Sequence, residues 1–450
     1  MIKVAKFGGS SVADATQFTK VKKIVEAEKS RKFVVVSACG KTSKEDHKVT
    51  DLLYLCHAHV KYGVDYEPIL KMIEDKYYAI KNELQLGINL DDEFAQIRKL
   101  MKKDGDIDYI VSRGEYLTAR MMADYLNATF VDAKDIIHFS YDGAVDMEKV
   151  RKSLAFVANS DRKIVIPGFY GSLPNGKIKV MSRGGSDITG AIIANVIDAD
   201  IYENWTDVPG IMVADPRLVN DPLSIKRITY AELREMSYMG ANVLHDEAIF
   251  PVKEKKIPLN ILNTNDPKHP GTMILDSCDE YDLKEKPPVL SGITGRKGFS
   301  VISLAKSHIS SEVGVLKKAL DIVANYGLSI ESVPTGIDSF SLVVSTQAAK
   351  GRIYELMAEL KEKLNPDSIN IIDDLSLVAF VGRRLKNYKG FSGKLFGELG
   401  NNDINIRLIS QTADEISIVV GIENKDFEKT INCIYDSFIR ETSYESVKQK

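Results

Sequence analysis

Cysteine is scarce in this sequence: four residues in 450, Cys39, Cys56, Cys278 and Cys433, none in CxxC spacing and none beside histidines at metal-ligand intervals. Neither a disulfide framework nor a metal centre is expected, and a reducing cytoplasm is the fitting compartment. No stretch offers ~18 uncharged apolar residues, and Met1 to Phe7 runs straight into a glycine turn with no h-region or cleavage site, so neither membrane insertion nor secretion is expected. Charge of one sign is also missing. Lys plus Arg number 60 against 63 Asp plus Glu, a net charge of -3, which leaves no electrostatic footprint for nucleic acid or an anionic membrane. What is present, 44% hydrophobic and 27% charged residues, is the composition of a soluble enzyme of small-molecule chemistry. At 450 residues the chain exceeds what one core serves, so two or three domains are expected.

Up to about residue 280, short β-branched runs alternate with longer helical patterns, the grammar of a mostly parallel sheet sandwiched by helices in an α/β fold. Strands are expected at Ile2 to Phe7, Phe33 to Ser37, Thr129 to Asp132, Lys163 to Pro167 and Asp200 to Asn204. Helices are expected at Asp14 to Glu28, Gly114 to Leu126 and Asp187 to Val196, each long enough to cross between parallel strands. Residues 65–103 read as a charged helical insertion without an assigned role. Asp276 to Pro288 is charged, ends in two prolines and lacks periodicity, so it reads as an exposed linker. Three domains follow: 1–284, 285–370 and 371–450.

Beyond that linker a repeat emerges. Val313 to Val333 followed by Ser339 to Ser345, and Gly393 to Ile409 followed by Glu415 to Gly421, both give a helix, a Gly or Asn-Asp turn, a strand, a loop and a β-rich strand. That order is ferredoxin-like. The duplicated unit resembles a pair of ACT domains.

Three loops carry the chemistry. Lys6-Phe7-Gly8-Gly9-Ser10-Ser11 follows the first strand, and its glycines let backbone N–H groups approach a phosphate while Lys6 adds a cation; the lysine precedes the glycines, so this is no Walker A loop. Taken alone, GGSS reads equally as a plain turn. Ser182-Arg183-Gly184-Gly185-Ser186-Asp187 opens a helix, where Arg183 offers a fork for a carboxylate or phosphate, and where Ser186 or Asp187 could equally be a simple cap. Trp205 to Gly210 follows the strand at Asp200 to Asn204, with Asp215 and Arg217 shortly after. In an open parallel sheet such loops gather at the carboxyl ends of the strands, in one cleft suited to a triphosphate and an acidic substrate.

KFGGSS at 6–11, SRGE at 112–115, SRGGSD at 182–187 and WTDVPG at 205–210 resemble, in order and spacing, the motif series of the aspartokinases. The resemblance covers essentially the whole chain and implies an amino-acid-kinase fold with two ACT modules. It implies transfer of the γ-phosphoryl of ATP to the side-chain carboxylate of L-aspartate, the first step toward lysine, threonine and methionine. Catalytic roles carry over to Lys6, Gly8, Gly9 and Asp187, with Mg²⁺ held mainly by the nucleotide. Aspartate contacts carry over to Ser37, Thr50, Glu115, Arg183, Gly184, Gly185, Ser186 and Asp187, with Arg183 for the α-carboxylate and Glu115 with Asp187 for the α-ammonium. Nucleotide contacts carry over to Lys6, Gly8, Gly9, Ser10, Thr206, Asp207, Met212, Arg217 and Asn242.

The sequence departs from the family at three places. An extra charged stretch, Lys44 to Lys48, separates Ser37 from Thr50; Met212 replaces an aromatic residue; Asn242 replaces a lysine. In family terms a product amino acid, lysine or in some members threonine, binds where ACT modules meet. Here the effector loop is read at Ser329 to Ser339, with Ser329, Glu331, Thr335 and Asp338 as contacts, though an ordinary turn fits the same residues. Exposed ACT sheet edges imply a homodimer or tetramer. A fused homoserine dehydrogenase is not expected, as too few residues follow the second repeat. Two rival readings are a kinase of the same fold acting on another substrate and a non-catalytic amino-acid sensor.

Overall fold

The computed structural model describes residues 1–440 except 102–104, 159–161, 183, 242–243, 245 and 286–287, with backbone alone at 158, 246–248 and 284. These residues form two units: Met1–Ile211 with Ser224–Tyr230 and Asn242–Cys278, and Met212–Leu223 with Ala231–Ala241 and Asp279–Lys450.

The first unit holds strands β1 (Lys3–Phe7), β2 (Arg31–Val36), β3 (Thr129–Phe130), β4 (Ile164–Pro167), β5 (Tyr170–Ser172), β6 (Ile178–Val180), β7 (Ile201–Thr206), β8 (Arg227–Thr229), β9 (Leu259–Asn263) and β10 (Thr272–Leu275). Eight of them build one sheet in the order β3-β4-β2-β1-β7-β9-β10-β8, and β5 pairs with β6. Every pairing in the large sheet is parallel except β9 with β10. The central strands are buried on both faces, with Val4, Ala5 and Phe7 of β1 and Val34 to Val36 of β2 inaccessible to solvent, which is why these runs are continuously apolar instead of alternating. Helices α1 (Ala15–Ala27), α2 (Val49–Lys61), α3 (Glu67–Leu84), α4 (Asp91–Met101), α5 (Ile107–Tyr125), α6 (Ala133–Ile136), α7 (Met147–Ala158) and α8 (Gly185–Val196) accompany it. The charged segment 65–103 is thus α3 and α4, whose Leu70, Ile73, Tyr77, Phe94 and Ile97 join the main core.

Two expectations change. The SRGE motif does not open a helix but lies inside α5, capped by the Asp106 carboxylate accepting from the Asp108 amide. Gly114 is tolerated in that interior because of packing: a Cβ there would stand 2.8 Å from the Ala38 Cβ. The stretch read as a linker contains a helix at Asp279–Glu285, whose first turn holds Asp279, Glu280 and Asp282, where carboxylates complement the helix dipole.

The second unit holds β11 (Gly292–Ala305), β12 (Ile330–Ser332), β13 (Ser339–Ser345), β14 (Ser368–Val381), β15 (Leu408–Gln411) and β16 (Ser417–Glu423), in one antiparallel sheet of order β12-β13-β11-β14-β16-β15. The two sequence repeats share it. In β11, Phe299 to Ala305 pair with Ser368 to Leu375 in the first repeat's half, and Gly292 to Lys297 pair with Ser376 to Val381 in the second's. Both long strands bend where the halves meet, at Gly298 (φ +90) and Asp374 (φ +59). Among the described residues, no helix is long and apolar enough to cross a membrane.

A buried ionic knot joins the starts of the central strands. Arg31 donates through Nε to Glu203 Oε2 at 2.7 Å and through Nη2 to Oε1 at 3.2 Å, Lys3 pairs with Glu203 at 3.2 Å, and Trp205 Nε1 donates to Glu203 at 2.9 Å. Removing one member leaves buried charge uncompensated, so Glu203→Ala is expected to lower the unfolding free energy by about 3–5 kcal/mol, read by urea denaturation.

Candidate active site

β1 lies between β2 and β7, so its C-terminal end opens on the loops that follow all three. The Gly8 amide donates to the Trp205 carbonyl (2.9 Å), and the chain then coils into a short 3₁₀ turn, Gly9–Val12. The loop after β2 meets it: the Gly40 amide donates to the Gly9 carbonyl at 2.9 Å, and a Cβ on Gly40 would come within 2.5 Å of the Gly9 carbonyl carbon. A third wall is the start of α8, entered through Gly184 at φ +79, a left-handed conformation suited to glycine. A Cβ on Gly185 would collide with the Phe169 ring at 2.7 Å.

Lys6 is the centre of this arrangement. Its side chain is only 7% exposed, and its Nζ lies 2.5 Å from Asp187 Oδ1, with Asn204 Oδ1 at 3.4 Å. Asn204 Nδ2 donates to the same Asp187 oxygen at 2.9 Å, and Tyr202 OH donates to the Asp187 carbonyl at 3.0 Å. The lysine is therefore a fixed cation, oriented by a carboxylate in the first turn of α8 and an amide on β7.

A cleft of about 1000 Å³ opens beside it, lined by Lys6, Gly9, Ser10, Ser37, Thr50, Glu115, Gly184, Gly185, Ser186, Asp187 and Asp207 among others. Nine of these come from four distant motifs, and Ser37 and Thr50 from the segment after β2, yet all share one cavity. Glu115 is the most perturbed of them. Burial pushes its carboxyl up to about 8, against the opposing effects of hydrogen bonds from the Ala38 and Glu115 backbone and of the Arg113 charge. Its Oε2 is buried with no hydrogen-bond partner among the described residues. Cys39, in the lining of the same cleft, is likewise raised to about 11 by burial and shares a hydrogen bond with Thr118.

Other expected site residues stand elsewhere. Gly8 does not line the cleft, though a Cβ there would lie 3.6 Å from Lys6 Nζ. Thr206 caps its own loop, its Oγ1 accepting from the Val208 amide at 3.2 Å. Met212 and Arg217 belong to the second unit, where the Arg217 guanidinium grips Asp215 at 2.6 Å. Arg183 and Asn242 fall outside the described residues. In the segment expected to hold an effector, Glu331 already meets Arg296 (2.9 Å) and the Tyr238 hydroxyl (2.8 Å), Asp338 accepts from the His308 amide (3.1 Å), Thr335 bridges to Phe340, and Ser329 is exposed before β12. Sequence reasoning missed Asn204, Gly40, Lys41 and Lys48, the last three of which line the cleft. Asn204 had a signal, an amide in a buried strand where burial demands a partner.

Comparison with known proteins fits this geometry. Residues 1–263 match the Amino acid kinase family and residues 378–438 match an ACT domain, so the class is an amino-acid kinase with ACT-type structure appended. The chain is 34% identical to Aspartokinase 3 of Bacillus subtilis, over 97% of this chain and 98% of that one. Clostridium acetobutylicum aspartate kinase superposes with a TM-score of 0.91 at 46% identity, covering 97% of this chain and 100% of the other. Escherichia coli aspartokinase III, solved with aspartate and ADP in its R-state, gives 0.75 at 26% identity, covering 97% and 99%; with lysine and aspartate in its T-state it gives 0.74 at 25%, with the same coverage. The chain belongs to the aspartokinase family.

The raised Glu115 carboxyl carries a stability cost with a definite sign. Between its ordinary value near 4.5 and the folded value of about 8, the folded chain holds a proton that the unfolded chain has lost, so stability falls as pH rises through this window. Glu115→Gln should therefore gain stability over the wild type from pH 5 to 8, by on the order of a few kcal/mol, as read by thermal melts across that range.

Proposed function

We propose that this cleft is where the enzyme, an aspartate kinase, brings ATP and L-aspartate together. The observation that carries the assignment is that Lys6, Asp187 and Glu115, from three separate motifs, line a single cavity. The nucleophile is the aspartate side-chain carboxylate, ionised at neutral pH with an ordinary value of about 3.9, so no general base is required. The barrier is electrostatic, an anion approaching a polyanion, and is met by positioning and charge neutralisation. Lys6, held by Asp187 and Asn204, is assigned to the transferring phosphoryl, with the backbone of Gly9 and Ser10 at the phosphates and Gly8, its amide bonded to the Trp205 carbonyl, shaping the turn behind them. Asp207 is a hard oxygen donor in the same cleft and would add to the shell of a Mg²⁺ held mainly by the nucleotide. That ion would neutralise phosphate charge.

The substrate's α-ammonium goes to Glu115 and Asp187. An unpartnered buried carboxylate oxygen is what an incoming ammonium satisfies. The α-carboxylate goes to Arg183, between Ser182 and Gly184, which both line the cleft; Ser37 and Thr50 border the substrate. Thr206, Asp207, Met212, Arg217 and Asn242 are assigned to the nucleotide. Pairing an acid for an ammonium with a guanidinium for a carboxylate selects a free α-amino acid over acetylglutamate, carbamate or a nucleotide.

Residues 1–284 are assigned as the catalytic domain, with ACT modules in 285–370 and 371–450 that share strands β11 and β14 and sense lysine, and in a second arm threonine, through Ser329, Glu331, Thr335 and Asp338. Support comes from the relative solved with lysine in its T-state. Edge strands β12 and β15 suit pairing between chains into a dimer or tetramer. The enzyme is assigned to the cytoplasm.

With ATP and Mg²⁺, aspartate should yield a hydroxamate in the presence of hydroxylamine, and glutamate should not; product from glutamate alone overturns the substrate. Because ammonium binding needs Glu115 ionised, kcat/KM for aspartate should rise with pH until about 8 and then level, and Glu115→Gln should flatten that limb. Lysine titrated against activity should inhibit, alone or with threonine, and a flat response to both removes the effector assignment.

A further inference from the structure

The helical insertion touches the wall of the active site from α3, where Tyr77 donates to the Gly114 carbonyl at 2.7 Å and Lys76 reaches the loop after β2. Lys76, on α3, buries its stem and donates from Nζ to the Gly40 carbonyl at 2.5 Å and to Asp46 Oδ2 at 2.7 Å. Asp46 belongs to the extra charged stretch of the 40–48 segment and is that segment's hub. Its Oδ2 also accepts from the Thr42 amide (2.7 Å) and hydroxyl (2.9 Å), and its Oδ1 from the His47 amide (2.7 Å).

Gly40 is held from both sides, its carbonyl by Lys76 and its amide by the Gly9 carbonyl of the phosphate loop. No larger residue fits there, since a Cβ would sit 2.7 Å from the Ser10 amide nitrogen. A continuous chain of contacts therefore runs from Lys76 through Gly40 to Gly9. The tethered segment supplies Gly40, Lys41 and Lys48 to the wall of the cleft, adjoining Thr50 and Asp51.

We propose that Lys76 is a positioning residue for phosphoryl transfer: it latches the 40–48 segment against the phosphate loop so that Lys41 and Lys48 stand at the cleft together with Lys6. The proposal rests on the cleft being the substrate site. Three lysines around one cavity answer the problem of joining an anion to a polyanion, and two of them lie in a loop with no regular structure to hold it. Burial alone would raise the Asp46 carboxyl, yet the bonds from Lys76, Thr42 and His47 hold it well below the usual carboxylate range, which keeps it an acceptor for all three.

The test is a double-mutant cycle on the full chain with Lys76→Met, Asp46→Asn and both together, with Lys76→Arg as the conservative variant. Lys76→Met should raise KM for aspartate and for ATP about tenfold while kcat changes less, the size expected for one charge-assisted hydrogen-bond donor. Lys76→Arg should recover most of the loss, and Asp46→Asn should add little in the Lys76→Met background. Hydrogen exchange at the Gly40 amide should quicken in Lys76→Met, a readout independent of turnover. Asp46→Asn changes a partly exposed loop and leaves no buried ammonium without an acceptor, so it probes the latch should Lys76→Met fail to fold.

Unchanged KM values in folded variants, or effects of Lys76→Met and Asp46→Asn that simply multiply, would overturn the latch. A wild-type enzyme that turns over some other acid but not aspartate would instead strike at the substrate assignment, and the exchange measurement at Gly40 would still decide whether Lys76 holds the loop.

Discussion

Everything in the catalytic unit is arranged around the short contact between Lys6 and Asp187. A lysine at the end of a central, fully buried strand has nowhere to leave its charge in water, so the fold must bring it an anion. That anion comes from the first turn of α8, where a carboxylate is already favoured by the helix dipole, and the helix is in turn located by Gly185 against Phe169 and by the Tyr202 hydroxyl. Asn204 closes the arrangement by touching both partners. Strand, helix and site thus share one constraint: moving any of them strands a buried charge.

The site is asymmetric in its electrostatics. At one end the Lys6 ammonium is matched by the Asp187 carboxylate, which Asn204 also holds. At Glu115 one oxygen has no hydrogen-bond partner among the described residues, and burial keeps the group neutral near pH 7. One end of the cleft is internally satisfied, and the other holds an acid with an open oxygen. The cost of Glu115 in the free enzyme is of the kind that active sites carry for function.

Much of this was legible in the sequence. All five expected strands are present, and those at β1, β2 and β4 were marked most clearly, because a strand buried on both faces has no alternative to an apolar run. Lys6, Glu115 and Asp187 were readable because they stand beside glycines whose spacing carries the motif. Other features were not readable. That SRGE lies within α5 depends on Gly114 facing Ala38, a contact 76 residues away, which no local propensity records. Asn204 and Lys76 act through partners far along the chain, Asp187 and Lys6 for one and Asp46 for the other. Arg217 reads the same whether it meets a nucleotide or its neighbour Asp215, since a short ion pair and a ligand contact need the same guanidinium.

The shared sheet of the second unit has a consequence for how the chain is made. β11 completes the second repeat's half of the sheet through Gly292 to Lys297, yet it leaves the ribosome before the first repeat has begun. Its leading half must wait, one edge open, for β14 and β16 to arrive from the far end of the polypeptide. No single cut in the chain can free either repeat whole. The two are threaded on a pair of common rails of unbroken backbone.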